Sequence, residues 1–432
     1  MKKIIENKKR VFVGLSGGVD SAVTAALLKK QGYEVTGVFM RFWKPRINAD
    51  FKDADGRGYE NSCCSVESEA KARLVASKLQ IPFYIFNFAK EFKREVVDYF
   101  LAELVAGRTP NPCAVCNPKI KFGLFLERAK KLGADYVATG HFARVSFAHV
   151  VIPSRQQAER NLRRMSARIR GRSFAIAQDD SGSGYKLFSA KDKNKDQSYF
   201  LAGLSQEQLR QIIFPLGNYT KDEVYILAKK WQLPHQARQS FDICFAGDYQ
   251  GFLKRYLKMK EGRIVKFTNT TNLGTDIKDK NLPQPLLKEG GSLPLGRVRE
   301  DLIKVLSQHQ GLPLYTIGQR ASIGGPGPFY VVKKDTKKNI LYVSNNEKDL
   351  YQKEMILENV NWLSGQPPEL PLKCKIKIRY QGRVEYGYIR TNMSINNLRV
   401  LFDLPQRAVT PGQMAVFYGN GGEMLGGGII QK

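Results

Sequence analysis

No stretch of this 432-residue chain approaches the roughly 20 consecutive apolar residues of a membrane-spanning helix. The polar start MKKIIENKKR runs into only five apolar residues, VFVGL, too few for the apolar region of a secretory leader. A cytoplasmic protein is therefore expected. Acidic residues are scarce as well: 40 Asp+Glu stand against 69 Lys+Arg, a formal net charge of +29. Such a field draws polyanions, nucleic acid above all, and the lack of a basic amphipathic anchor argues against a membrane surface. There is no internal repeat. Nor is there a second C-x-x-C, so Cys113 and Cys116 have no partner pair with which to build a four-cysteine zinc cage. The six cysteines of a protein in a reducing compartment are thiols by default, and their placement bears on chemistry more than on stapling.

What is present begins with the β-branched and apolar residues 11–15, read as a buried strand. Helical spacing of Ala22, Ala25, Ala26 and Leu28 follows over 21–31, with Gly32 as a stop. EVTGVFM (34–40) is a second strand. The alternation continues with a helix in SVESEAKARLVASKLQ, a strand in IPFYIFNF, a helix in IKFGLFLERAKKLG and a strand in DYVATGH. The expected fold class is α/β, with a doubly wound parallel sheet over residues 1–255. An Arg-rich, Ser/Gly-ended stretch at about 150–184 breaks the pattern and reads as an exposed insertion that inflates the net charge. A small central domain is expected over 256–327, interrupted by a loop-rich insertion at about 266–306. FYVVKKD, NILYVS, KCKIKIRY, EYGYIR, LRVLFD and MAVFYG are short strands divided by turn residues, and predict a C-terminal antiparallel barrel over 328–432.

Between the first strand and the first helix stands GLSGGVDS. It looks like a phosphate loop without the lysine that a Walker loop extends to the β- and γ-phosphates. Gly14, Leu15, Ser16, Gly17, Gly18, Val19, Asp20 and Ser21 still supply converging backbone N–H groups and a positive helix end. Asp20 would repel phosphate unless Mg²⁺ lay between them, so magnesium is expected with the nucleotide. A plain strand-to-helix turn with a Ser/Asp cap is the alternative, and it leaves the full combination unexplained. Cys113 and Cys116 stand on a Pro-rich loop before a helix, where backbone amides and Arg108, Lys119 and Lys121 favour thiolate. Cys244, between Ile243 and Phe245, reads on its own as a small buried apolar residue. His141 reads either as a satisfied strand-end residue or as a group at the nucleotide. Arg379 and Tyr380 are either strand surface or a phosphate-binding cation beside an aromatic face.

The loop resembles the PP-loop of the ATP pyrophosphatases, which cleave ATP between its α- and β-phosphates and adenylate a carbonyl oxygen. GRTPNPxxxCNxxIKF, ATGHFAR, KDQSYFL, ICFAGD, YTIGQR and TPGQMAVFY…LGGGII are similar, in order, to the motifs of MnmA-type tRNA-specific 2-thiouridylases. The resemblance runs from residue 11 onwards, apart from the two insertions. It implies ATP contacts at residues 14–21, Met40 and Gly140, a nucleophile at Cys116 and a persulfide carrier at Cys244. It places Asn111, Pro112 and Cys113 beside the target base. It also implies tRNA contacts at His141, Lys195, Asp196, Gln197, Arg379, Tyr380 and Gln413. The implied reaction is adenylation of O2 of the wobble uridine, followed by sulfur delivery from the Cys244 persulfide to C2 as AMP leaves. Cys116 either frees sulfide or closes a disulfide with Cys244.

The implied partners are the tRNAs for Lys, Glu and Gln and a cysteine desulfurase or relay protein, and a monomer is expected. Cys113 stands where some members carry an Asp thought to move protons. Cys113, Cys116 and Cys244 also offer three thiolates for an iron–sulfur cluster, an alternative to the persulfide relay. Cys63 and Cys64 read as ordinary loop residues before a helix. Two rival functions need no thiols: a PP-loop synthetase that makes a C–N bond, and an RNA-binding protein with a vestigial nucleotide fold.

Overall fold

The computed structural model describes residues 8–44, 65–147, 184–234, 243–267, 305–324, 327–391 and 397–431. Cys63, Cys64 and almost all of both expected insertions lie outside the described residues. The chain opens with β1 (Arg10–Gly14), α1 (Val19–Lys30), β2 (Glu34–Arg41), α2 (Val66–Lys78), β3 (Phe83–Asn87) and β4 (Tyr136–Ala138). A hairpin of β5 (Ala143–Phe147) and β6 (Tyr185–Ser189) precedes the short β7 (Ile212–Ile213). Strands β3-β2-β1-β4-β7 form one sheet, parallel throughout.

The two inner strands β1 and β2 are covered on both faces, which is why each is buried almost continuously along its length. Val11 and Val13 point into a cluster with Ala22, Val23 and Ala26 of α1, while Phe12 between them points into the opposite cluster with Phe86, Phe122 and Phe125. β1 pairs with β2 on one side and β4 on the other, so the strand order reverses there. In open sheets of this kind the crevice beyond the strand ends at that reversal is where ligands bind. The first helix begins at Val19, two residues before its expected start, so Asp20 and Ser21 belong to its first turn.

Two further strands expected in the C-terminal barrel lie elsewhere. FYVVKKD is β11 (Phe329–Asp335) and NILYVS is β12 (Ile340–Ser344). With β8 (Gly262–Lys266), β9 (Val305–His309) and β10 (Arg320–Ala321) they form the central sheet β10-β11-β12-β8-β9. Short alternating strands carry no address, and here the parallel pairing of β12 with β8 claims them. The barrel proper comprises β13 (Tyr351–Trp362), β14 (Leu372–Lys377), β15 (Val384–Thr391), β16 (Leu398–Arg407), β17 (Met414–Tyr418) and β18 (Glu423–Ile430). It closes through the β13–β18 pairing, and the β5–β6 hairpin extends it from β18. Met414, Val416 and Tyr418 complete the core cluster of the first domain, so barrel and parallel-sheet domain share one interior.

The central sheet carries a testable cost. Lys334 of β11 donates to the Tyr315 carbonyl at 3.0 Å, and burial pushes its pKa down to about 8. The unfolded chain holds that proton up to pH about 10.4, so the penalty is complete below pH 8 and relieved between 8 and 10.4. Lys334→Met is expected to stabilise the protein at pH 7 by roughly 2 kcal/mol, net of the lost hydrogen bond. It should also remove the alkaline rise in stability, as read from melting curves of both proteins between pH 7 and 10.

Candidate active site

A cleft of about 200 Å³ opens where the strand order reverses. Gly14, Leu15, Ser16, Asp20 and Ser21 line it from the loop, Met40 and Phe42 from the end of β2, and Thr139, Gly140 and His141 from the end of β4. The loop is held from within. The Ser21 hydroxyl donates to the Gly18 carbonyl at 3.0 Å and accepts the Ser16 N–H at 3.1 Å. Gly18 is the N-cap of α1, and no side chain caps that end. Its first N–H groups therefore have no side-chain acceptor, the arrangement that favours an anion at a helix N-terminus.

Two glycines are needed for this geometry. Gly17 has φ +78°, and a Cβ there would come within 2.4 Å of the Ser68 carbonyl oxygen of α2. A Cβ on Gly140 would lie 2.9 Å from both the Asp20 carbonyl carbon and the Ser21 nitrogen. Backbone cannot yield as a side-chain tip can, so only glycine lets the β4 end close against the loop.

His141 accepts or donates at Nδ1 to the Thr139 hydroxyl, 2.7 Å away, and its ring packs against Phe122 and Phe214. Burial, aided by the nearby Lys121 charge, holds its pKa well below the usual imidazole value. It is a neutral group at neutral pH. Lys121 lines the same cleft.

Cys113 and Cys116 lie inside a helix, not on a loop before one. Asn111 is its N-cap, its side-chain oxygen accepting the Cys113 N–H at 3.1 Å, and Pro112 takes the first position, where a missing N–H costs nothing. After Pro112–Cys116 the helix winds as a π-helix over Asn117–Leu124 and returns to α over Phe125–Lys131. Cys116 is buried in the core cluster against which Ile243 and Cys244 also pack. Phe245 anchors that second segment against Phe92, Phe100 and Phe252, with ring centroids 5.5–5.7 Å apart. Two of the cations expected to favour thiolate are engaged elsewhere: Arg108 pairs with Glu103, and Lys119 with Glu95 at 2.7 Å. Among the described residues no three His, Cys, Asp or Glu side chains converge on a metal, so Cys113, Cys116 and Cys244 are not gathered as a cluster site.

The residues expected at tRNA divide sharply. Lys195 is exposed. Asp196 is buried, its carboxylate accepting from the Ala190 and Ser198 amides and the Ser198 hydroxyl. Gln197 lines the cleft and holds the Phe142 amide through its side-chain oxygen at 3.0 Å. Arg379 donates to the Ile317 carbonyl at 2.7 Å, the Thr410 hydroxyl at 2.7 Å and the Ala408 carbonyl at 3.2 Å, joining the YTIGQR segment to the barrel. Tyr380 packs on Phe200, 4.5 Å between centroids. Gln413 donates to the Thr109 carbonyl at 2.8 Å, and the Thr109 amide to the Pro411 carbonyl at 2.8 Å. The barrel thus grips the chain two residues before Asn111. Arg379→Met is expected to lower stability by about 3 kcal/mol, since three charge-assisted hydrogen bonds are lost. A surface phosphate contact would instead weaken tRNA binding with an unchanged melt; thermal melts beside tRNA titrations separate the two.

Sequence reasoning did not place Phe42 or Thr139 in the cleft, nor bring Lys221 to Asp20. Thr139 was within reach, since it sits inside ATGH. Lys221 had no signal, because 201 residues separate it from Asp20.

A parallel sheet with an uncapped, glycine-rich loop at its reversal point, followed by a small β domain and a closed barrel, defines a multidomain nucleotide-binding protein of the HUP type. Family models agree in both order and extent: a "tRNA methyl transferase HUP domain" matches residues 9–248, a "tRNA methyl transferase PRC-barrel domain" 295–345 and an "Aminomethyltransferase beta-barrel domain" 352–430. Curated tRNA-specific 2-thiouridylases MnmA match almost end to end. That of Carboxydothermus hydrogenoformans is 37% identical over 98% of both chains. Those of Symbiobacterium thermophilum and Streptococcus mutans are each 38% identical, over 98% and 99% of this chain and 92% and 96% of theirs. The chain belongs to the tRNA-specific 2-thiouridylase family.

Proposed function

We propose that this protein is a tRNA sulfurtransferase that converts the wobble uridine to 2-thiouridine at the expense of ATP. The observation that carries the reading is the pairing of a PP-loop cleft with Cys116 and Cys244 packed on one core cluster. The family description speaks of methyl transfer and the curated relatives of thiolation. Two cysteines from segments far apart in sequence suit the second chemistry, and a C–N bond-forming synthetase needs neither.

The uncapped N–H groups of α1 and the Gly17–Gly18 amides hold the phosphates. Met40 and Phe42 offer apolar surface to the adenine. Asp20, facing the cleft, would hold a Mg²⁺ that enters with the triphosphate. That ion would offset the charge between Asp20 and the triphosphate. The uridine leaves its stack, at a cost of a few kcal/mol, to present O2 to the α-phosphate. O2 attacks the α-phosphorus, and pyrophosphate departs. The terminal sulfur of the Cys244 persulfide then adds to C2, and AMP carries O2 away. The Cys116 thiolate attacks Sγ of Cys244, closing a Cys116–Cys244 disulfide as the bond to the outer sulfur breaks and its electron pair stays with the sulfur on the base. Neutral His141 serves as a hydrogen-bonding group rather than a cation. Cys113 stands at the helix start beside Asn111, toward the target base.

The sulfur arrives from a cysteine desulfurase or relay protein, and the substrates are the tRNAs for Lys, Glu and Gln, in the cytoplasm and with the protein as a monomer. Among the described residues no helix is long and apolar enough to cross a membrane. The test is mass spectrometry of nucleosides from unmodified tRNA incubated with the protein, Mg-ATP and a persulfide donor. ATP-dependent 2-thiouridine supports the reading. A methylated product, or tRNA binding without thiolation, refutes it.

A further inference from the structure

The phosphate loop has no lysine, yet a lysine stands against it. Lys221 Nζ lies 2.5 Å from Asp20 Oδ1, and Asp20 lines the cleft. Lys221 is the first residue of the helix Lys221–Lys230, whose start is fixed by a capping box between Thr220 and Glu223. The Lys221 amide also donates to Asp192 Oδ2 at 3.0 Å. Val224 and Ala228 of this helix pack in the same cluster as α1, which ties the lysine to the loop it faces. Its ammonium sits over the rings of Tyr225 and Phe142, at 5.0 and 5.8 Å, and the side chain is only 20% exposed. The stem is thus led to the cleft wall, while the last rotations of a lysine remain adjustable.

We propose that Lys221 is the cation the loop lacks. It neutralises Asp20 while the cleft holds no nucleotide and transfers its ammonium hydrogen bond to the β/γ-phosphate oxygens when Mg-ATP binds, as the Asp20 carboxylate turns to Mg²⁺. The exchange breaks one ion pair and forms two, with no change in protonation. It rests on the ATP-using reading above.

The test is calorimetric titration of wild type, Lys221→Met and Lys221→Arg with Mg-ATP and, separately, with AMP, which lacks the contacted phosphates. Lys221→Met is expected to weaken Mg-ATP at least tenfold, the scale of one charge-assisted contact. AMP affinity should stay within about twofold, and Lys221→Arg should recover part of the loss. Circular dichroism melts of the variants check that the fold is kept. Equal weakening of both nucleotides, or no change in either, would make the pair a structural salt bridge and overturn the proposal. A wild type that binds AMP but gains nothing from the added phosphates also overturns it. A wild type that binds neither nucleotide overturns the ATP-using reading itself, and the proposal with it.

Discussion

Replacing Cys244 by alanine is expected to lower 2-thiouridine formation by on the order of 10³-fold or more, leaving Mg-ATP and tRNA affinities within about twofold. On the proposed route the sulfur is carried on the Cys244 thiol, and alanine has no sulfur with which to form that bond. The fold should survive the change. Phe245, not Cys244, anchors the segment in the aromatic cluster, Ala246 is buried beside it, and the Ala246 amide donates to the Ile243 carbonyl at 3.2 Å. Cys116→Ala is the companion variant. Cys116 is 5% exposed, so its loss costs about 1 kcal/mol of packing. It should also leave the sulfur bridging Cys244 and C2 of the uridine, as a covalent protein–tRNA adduct that a reducing agent releases. Quantifying the nucleoside product, together with the adduct before and after reduction, reads both effects. A Cys244→Ala protein that still thiolates would show that another residue carries the sulfur.

Gly140→Val is the second change with a large expected effect, and it acts through space rather than chemistry. The new Cβ would stand 2.9 Å from the backbone of Asp20 and Ser21, so the loop, and with it the N-terminal turn of α1, must shift. Phosphate amides displaced by even an ångström lose their aim. Mg-ATP affinity is expected to fall about 100-fold, with roughly 1–3 kcal/mol of stability lost to overpacking. AMP should weaken too, because Gly140 and His141 form the cleft wall itself; this separates the variant from Lys221→Met. Unchanged nucleotide titrations on a folded protein would mean that the cleft is not where ATP binds.

The parallel-sheet domain was legible because its signals are local and repeated: apolar strands of matching length, helices with caps, and a loop whose composition already states its geometry. Cys113 and Cys116 sit one element away from the expected place because proline signals a loop at most positions but not at this one. Pro112 stands at the one helical position where proline costs nothing, behind an Asn that caps. FYVVKKD and NILYVS read correctly as strands but lie in the central sheet and not in the barrel, because alternation reports that a strand has a buried face without saying against what. Residue type likewise names a donor without naming its partners: three acceptors from two domains surround the Arg379 guanidinium, and a backbone carbonyl holds the Gln413 amide.

The sequence by itself determined the class of fold, the phosphate loop and the two cysteines, because each depends on residue type and short spacing. Only the tertiary structure decided which groups meet. Packing of two distant segments places Cys116 and Cys244 on one core cluster, and docking the barrel against Thr109 sets the chain before Asn111. Packing the helix Lys221–Lys230 on α1 supplies a loop without a lysine with one from 201 residues away. Such meetings are fixed by burial of faces that no local pattern names.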